Sequence, residues 1–114
     1  MTGLQYDIST IGEVGPRILA LLPEIAARAE ETEAARRLPA DLAAKLAAAG
    51  AFNLSKPASL GGLELEPLDF LKIVATVAEA DASAGWCVMI AVTSTLGAAY
   101  MAETAASEIF GADD

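Results

Sequence analysis

One uncharged stretch holds the side chains best suited to line a ligand site. It runs from Ala82 to Ala102 between two acids, Asp81 and Glu103, and it contains the only Trp and the only Cys of the chain. At helical spacing, one of its faces mixes bulky apolar groups with a hydroxyl and a glycine, a mixture typical of ligand cavities. The candidate substrate-cavity wall consists of Trp86, Met89, Ile90, Thr93 and Gly97.

Two simpler interpretations compete with a cavity wall. The same face fits an ordinary core helix, because a helix that is apolar all round must be buried on most sides. The length also fits a membrane span, since about 20 apolar residues cross a bilayer. Hydroxyls at Thr93, Ser94 and Thr95 interrupt the middle of the stretch, and acids rather than Lys or Arg flank it. We therefore expect no membrane span.

The chemistry available to the chain is narrow. Its 114 residues include no histidine, the commonest general base and metal ligand, and only one cysteine, Cys87. A lone cysteine in apolar surroundings makes no intramolecular disulfide and no multi-thiol metal site, and without a cationic neighbour we expect it to be inert. The sequence therefore predicts no catalytic residue and no metal site.

The charge balance restricts the partners. The net charge is −9, with 16 acids against 7 bases, which opposes binding to nucleic acid and to anionic membrane surfaces. No basic segment precedes an apolar run at the start, so no secretory signal is expected. These features favour a cytoplasmic setting without nucleic acid or membrane partners.

The elements around the stretch are predicted to be helical. The composition, 54% hydrophobic and rich in Ala, favours an all-α fold, a bundle of about five helices in residues 13–111 behind a loose arm in residues 1–12. A first amphipathic helix begins near Val14, and Pro23 predicts a kink or a split near Leu19 to Leu22. Its charged residues are interpreted as a solvated face.

Proline and glycine residues mark the ends of the next two helices. Leu38-Pro39 ends the first helix and opens a second one that Gly50 closes, after which Phe52 and Leu54 plug the core. A third helix starts at Pro67, with an apolar face predicted at Leu68, Leu71, Ile73, Val74, Val77 and Ala78.

The last two helices have capping candidates. Asp81 or Ser83 can cap the fourth helix, which is the uncharged stretch, and Thr104 can cap a short fifth helix that Gly111 closes. The loop between the second and third helices contains Gly61-Gly62, which fits either a turn or a close approach of ligand to backbone.

A series of motifs in this order resembles the N-terminal helical domain of the acyl-CoA dehydrogenase fold over roughly residues 17–111. The form Asp-Ala-Ser-Ala-Gly-Trp is similar to the branch that includes flavin-dependent aromatic monooxygenases. The matching residues are Arg37-Leu38-Pro39, Leu42, Leu46, Ala49-Gly50, Phe52-Asn53-Leu54, Pro57, Leu60-Gly61-Gly62-Leu63-Glu64 and Val77-Ala78-Glu79-Ala80-Asp81-Ala82-Ser83-Ala84-Gly85-Trp86.

This resemblance implies a place in a larger enzyme. Family members use FAD or reduced FMN, are usually tetramers, and add a β-domain and a C-terminal helical bundle that supply the catalytic base and most flavin contacts. The helix from Trp86 to Tyr100 would wall the cavity for an acyl-CoA or aromatic substrate, with the Gly61-Gly62 loop nearby.

The β-domain and the C-terminal bundle do not follow in this sequence. We therefore expect a substrate-cavity domain that is inactive alone, binds no flavin tightly by itself, and needs those domains or a homo-oligomer as partner. The alternative is a stand-alone helical interaction module that pairs through the face of the fourth helix.

Overall fold

The computed structural model describes residues 6–111, which form an all-helical fold. Two 3-10 turns accompany the α-helices, at Ala58–Leu60 and at Gly97–Tyr100. In the described part of the chain, the α-helices are α1 (Val14–Ala27), α2 (Ala29–Ala35), α3 (Ala40–Ala49), α4 (Pro67–Ala80), α5 (Ala82–Leu96) and α6 (Glu103–Phe110). The predicted fold class is confirmed, with six helices where about five were expected.

The core lies where α1, α3, α4 and α5 meet. α4 packs along α5, and α1 packs against both α3 and α4. Each helix turns an apolar stripe inward, as amphipathic helices do in a bundle. Fully buried side chains from these elements include Ile18, Ile25, Leu42, Leu46, Ile73, Val77 and Val88.

The segment before α1 contributes to this core. Ile8 and Ile11 are buried, and Gly15 admits the segment because a Cβ there would lie 1.8 Å from the carbonyl oxygen of Ile8. The interpretation of residues 1–12 as a loose arm is therefore wrong for these residues, whereas residues 1–5 lie outside the described part. The pattern was missed because two isolated isoleucines give no helical period.

The break in the first predicted helix falls at Arg28, and the split expected near Leu19 to Leu22 is wrong. α1 runs through Pro23, whose ring lies on the exposed side. Arg28 has φ −104° and ψ 14° and separates α1 from α2. Proline removes one helical donor, but the packing of the flanking Ile18 and Ile25 in the core holds the helix together.

Arg28 also anchors α3. Its Nη1 and Nη2 donate to both carboxylate oxygens of Asp41 at 2.7 and 2.9 Å, and further bonds reach Glu24 and Glu31. Lys45 adds a bond from Nζ to Glu24 at 2.8 Å. The charged residues interpreted as a solvated face thus include an ordered network that joins α1 and α2 to α3.

The loop from Asn53 to Leu65 folds back on itself. The amides of Leu63 and Leu65 donate to the carbonyls of Asn53 and Leu54 at 3.0 and 2.9 Å. Leu54 is buried and Phe52 packs against the core, as predicted. Gly50 closes α3 at φ +96°, also as predicted, whereas Pro39 precedes the first helical residue of α3.

Two details of α4 and α6 differ from expectation. Pro67 begins α4 as predicted, but Leu68 and Leu71 face solvent and Phe70 takes an inward position. Thr104 does not cap α6, because α6 already begins at Glu103 and no side chain caps it. Both errors shift a face or a boundary by about one residue, the usual uncertainty of helix ends.

Candidate substrate-cavity wall

α5 is positioned by its first turn and by a close contact with α4. The Asp81 carboxylate accepts from the amide of Ala84 at 3.0 Å and caps the helix, which confirms one of the two predicted caps. At Gly85 an added Cβ would lie 2.6 Å from the Cβ of Ala78, so only glycine allows α4 and α5 to approach this closely.

The C-terminal half of α5 is tied to the loop before α4. The buried Ser55 donates its hydroxyl to the carbonyl of Val92 at 2.7 Å, and its Oγ lies 3.1 Å from Oγ1 of Thr95. Thr95 in turn donates to the carbonyl of Ala91 at 2.7 Å. α5 is therefore held against α4 near its start and hydrogen-bonded to the 53–65 loop near its end.

The outer face of α5 is open to solvent. Trp86 is 66% exposed and Ile90 45%, and Thr93 is also exposed. The 3-10 turn after α5 continues this face with the exposed Gly97 and with Tyr100, which is 88% exposed. The interpretation of this face as ordinary core is therefore wrong for the described chain. The buried face of α5 is narrower than a fully apolar helix suggests and consists of Ala84, Gly85, Val88 and Val92.

Four of the five predicted wall residues share this exposed face. Trp86, Ile90, Thr93 and Gly97 follow one another at helical spacing, whereas Met89 is partly buried against the core. The hydroxyl of Thr93 donates to the carbonyl of Ile90 at 3.1 Å, which leaves its oxygen lone pairs as acceptors. The face offers apolar contact and one hydroxyl, and it carries no ionisable side chain other than the Tyr100 phenol at its end.

Cys87 lies in surroundings that make its thiol a weak nucleophile. Its side chain is half-buried beside the exposed face. Burial, together with the negative charge of Asp81, raises the pKa of the Cys87 thiol above its ordinary value. The thiolate is the reactive form, so the predicted inertness of Cys87 is consistent with its surroundings.

The conformation of the loop before α4 explains why glycine stands at both positions, 61 and 62. Gly61 has φ +86°, a conformation that glycine adopts without a steric cost. At Gly62 a Cβ would lie 2.1 Å from the carbonyl oxygen of Lys56. The turn interpretation of Gly61-Gly62 therefore accounts for both residues.

Two cavities flank the exposed face. One, of about 420 Å³, lies between the 53–65 loop, the end of α5 and α6, and carries Glu64 and Glu103 at its rim. The other, of about 470 Å³, lies where the turn after α2 meets the first turn of α5, and its lining includes Arg36, Arg37 and Trp86. The sequence analysis interpreted the two arginines as part of a solvated face. The adjacent arginines directly before Leu-Pro were the one sequence signal for this cavity.

Metal ligation finds no support in the described residues. Across residues 6–111, no three His, Cys, Asp or Glu side chains converge so that they could hold a metal ion.

The segment Ala82–Tyr100 is long and apolar enough to cross a membrane by length and composition, a test that core helices of soluble proteins also pass, and a third of its most apolar window is buried. The expectation that it does not span a membrane stays a prediction.

A family model decides the relationship. The model of the acyl-CoA dehydrogenase N-terminal domain matches residues 21–109, most of the chain. The chain belongs to the acyl-CoA dehydrogenase family. The resemblance read from its motifs and the fold expected from it are thereby confirmed.

Within the acyl-CoA dehydrogenase family, the chain is similar to flavin-dependent monooxygenases. It is 35% identical over 97 residues to the flavin-dependent monooxygenase oxygenase subunit HsaA of Rhodococcus jostii, a match that covers 85% of this chain and 25% of HsaA. The indole-3-acetate monooxygenase of Pseudomonas putida is 33% identical over 85% of this chain, and the p-hydroxyphenylacetate 3-hydroxylase oxygenase component of Acinetobacter baumannii is 31% identical over 91%.

A solved structure shows the same fold. The crystal structure of 3-HSA hydroxylase from Rhodococcus sp. RHA1 superposes with a TM-score of 0.86 at 34% identity, covering 94% of this chain and 27% of that one. The chain thus spans about a quarter of the length of the relatives that it matches. It corresponds to the acyl-CoA dehydrogenase N-terminal domain of flavin-dependent monooxygenase-like proteins.

Proposed function

We propose that this chain supplies one wall of the substrate cavity of a flavin-dependent oxidoreductase, and that the wall is the outer face of α5. The observation that carries the proposal is the exposure of Trp86, Ile90 and Thr93 on a helix that is held near both ends, together with the exposed Gly97 of the 3-10 turn that follows. A contiguous apolar surface of this kind marks an interaction or ligand site. Its single hydroxyl can orient a ligand that the apolar groups bind.

An aromatic substrate is favoured over an acyl-CoA. Two relatives carry aromatic acids in their names, indole-3-acetate and p-hydroxyphenylacetate, and the face offers the indole of Trp86 for ring contacts. We propose hydroxylation of an aromatic compound as the reaction of the whole enzyme. The flavin, either FMN or FAD, supplies the redox chemistry when bound, and the α5 face excludes water and positions the ring.

The chain alone performs no turnover in this proposal. Hydroxylation requires substrate and flavin to be held in contact, which takes several walls. The α5 face can fit one side of a flat ring, and the described residues provide no enclosed space around it. Other domains of the enzyme, or further copies of the subunit, therefore complete the cavity.

A flavin titration tests whether the other walls are needed. FMN and FAD are titrated separately into the purified chain while flavin fluorescence and chain size are followed. We expect no saturable binding at micromolar concentrations. Stoichiometric, tight binding of either flavin would contradict the proposal, because one open face cannot enclose the cofactor.

A stand-alone interaction module is the second candidate function, favoured by the 88% exposure of Tyr100 beside the same face. A module that pairs through this face predicts a dimer of fixed size, whereas a cavity wall without its partners predicts no pairing of fixed stoichiometry. Light scattering on Ile90→Asp separates the two, with Leu68→Asp on α4 as matched control. A dimer that only Ile90→Asp dissociates would favour the module.

A further inference from the structure

A cavity between the α2–α3 turn and the start of α5 carries an unusual set of side chains. It measures about 470 Å³, and its lining includes two arginines, a carboxylate, a serine hydroxyl, an indole and the only thiol of the chain. These residues are Arg36, Arg37, Glu33, Ser83, Trp86 and Cys87. α2 packs directly against α5 at this point, so the two halves of the cavity belong to one packed unit.

The charge of this cavity is opposite in sign to the net charge of the whole chain. The net charge of the protein is −9, yet the lining of this cavity contains two arginines and one carboxylate, that of Glu33. Arg17, Arg28 and Lys45 are each bound to carboxylates. Within residues 6–111, Arg36 and Arg37 take part in no ion pair; Lys56 and Lys72 also form none there, but they lie outside this cavity. Their donors are available to an anion from solution.

The backbone at Arg36 is also unusual. Arg36 ends α2 in the left-handed conformation, at φ +55° and ψ 29°. Glycine is the common residue at such a position, and a larger side chain costs roughly 1 kcal/mol there. A strained residue that is not needed for packing suggests a role for its side chain, since Arg36 is exposed.

Trp86 supplies the apolar side of the cavity. Its ring is 66% exposed although it is the largest side chain of α5. Guanidinium groups bind carboxylates and phosphates through paired hydrogen bonds, and indole rings stack on flat apolar groups. We propose that this cavity binds a small aromatic anion, with the carboxylate or phosphate on Arg36 and Arg37 and the ring on Trp86. The site shares Trp86 with the proposed α5 wall, but it rests on Arg36 and Arg37, which that wall does not use, so the variants at these two arginines test it separately.

Two reporters inside the cavity allow a direct test. Trp86 is the only Trp and Cys87 the only Cys of the chain, so fluorescence and alkylation both report on this place alone. Benzoate and phenyl phosphate are titrated while the emission of Trp86 is followed. The rate of Cys87 alkylation by neutral iodoacetamide is then measured with and without benzoate. We expect saturable quenching with both anions and slower alkylation with benzoate.

Two simpler probes test the two parts of the proposed binding, the charge and the ring, one at a time. Inorganic phosphate carries the charge without a ring, and benzyl alcohol carries the ring without a charge. Each should bind at least about tenfold more weakly than phenyl phosphate or benzoate, since each loses one set of contacts. Equal binding of either probe, or no saturation with any anion, would overturn the proposal.

The variants separate binding from folding. Arg36→Gly removes one guanidinium and relieves the left-handed strain, so the variant should fold at least as well as the wild type. Binding of benzoate should fall about tenfold in Arg36→Gly and in Arg37→Gln, and unchanged binding in both would overturn the proposal. Arg17→Gln, which removes an exposed guanidinium paired with Glu13, is the matched control and should bind as the wild type does.

Discussion

Two glycines of the α5 region lie in opposite surroundings. A Cβ at Gly85 would approach Ala78 within 2.6 Å, whereas a Cβ at Gly97 would meet nothing within 4 Å. We predict that Gly85→Ala lowers the free energy of unfolding by about 1–3 kcal/mol, because α4 and α5 must separate. Gly97→Ala should raise it by about 0.5–1 kcal/mol, since alanine restricts the unfolded chain. Urea denaturation of the pair measures both, and equal effects would contradict the close contact at Gly85.

The left-handed residue after α2 gives a second prediction at this scale. Arg36→Gly should raise the free energy of unfolding by about 0.5–1 kcal/mol, because glycine adopts φ +55° without a Cβ clash. Arg37 is not among the residues with positive φ, so Arg37→Gly should lower the stability slightly. Thermal melts of both variants against the wild type test the difference, and stabilisation by both changes would rule out the backbone explanation.

At the scale of elements, Arg28 links three helices. The guanidinium of Arg28 lowers the pKa of Asp41 to about 2, chiefly through the paired hydrogen bonds. The pKa of Asp41 is thus lower in the folded chain than in the unfolded chain. The bond consequently stabilises the fold above the ordinary Asp range near pH 4 and is lost as the pH falls toward 2.

A pH series of melting temperatures tests this link. The wild type should lose stability between about pH 4 and pH 2 more steeply than Asp41→Asn, which has no carboxylate to take up the proton. Glu30→Gln in the first turn of α2 is the control, since Glu30 makes no hydrogen bond or ion pair from its side chain in the described chain. It should keep the slope of the wild type. Parallel curves for the wild type and Asp41→Asn would show that the link contributes nothing to folding.

The two faces of α5 should respond differently to truncation. Val88 is fully buried and Ile90, two residues on, is 45% exposed. Val88→Ala should lower the free energy of unfolding by about 2 kcal/mol, and Ile90→Ala by less than about 1 kcal/mol, because a cavity forms only in the core. Chemical denaturation of the two variants provides the comparison. A larger loss at Ile90 would mean that the outer face is part of the folding core.

Local signals predicted much of the element order. Pro67, Gly50 and Asp81 mark helix ends by properties of their own backbone or side chain, and each acts at the position expected. The break at Arg28 could not be predicted, because it accompanies a contact with Asp41 that is 13 residues away. Local patterns determine where helices start and stop, whereas contacts distant in sequence determine how they bend.

The candidate site was predicted only in part. The residue types of α5 indicated a mixed apolar face, and four of the five wall residues do share one. Their exposure was not predictable, because an apolar helix is typical of a core as much as of a cavity wall. The Arg36 and Arg37 cavity was missed since it forms only when α2 packs against α5.

At the scale of the whole molecule, the shape explains why the α5 face is open. The described chain measures 45 × 30 × 19 Å, and a helix with its side chains is about 10 Å thick, so the fold is about two helix layers deep. In so thin a molecule every helix keeps one side at the surface. A helix that is apolar all round is then covered on one face only, and its second apolar face is available to another domain or a ligand.

The measurement that tests the central claim most directly is an exchange of domains. This chain replaces the matching N-terminal quarter of 3-HSA hydroxylase from Rhodococcus sp. RHA1, whose fold it shares at a TM-score of 0.86. Folding of the chimera is checked by its size, its melting and its flavin binding. Thr93→Val and Ile90→Trp are then introduced on the α5 face, and Leu68→Trp on the exposed side of α4 serves as control.

If α5 walls the substrate cavity, the chimera binds flavin, and Ile90→Trp and Thr93→Val change the KM for the substrate of the hydroxylase severalfold or more, whereas Leu68→Trp leaves it unchanged. The KM should respond because the altered side chains contact the substrate, while flavin binding stays constant. A folded, flavin-bound chimera in which all three variants keep the same KM and kcat would contradict the account.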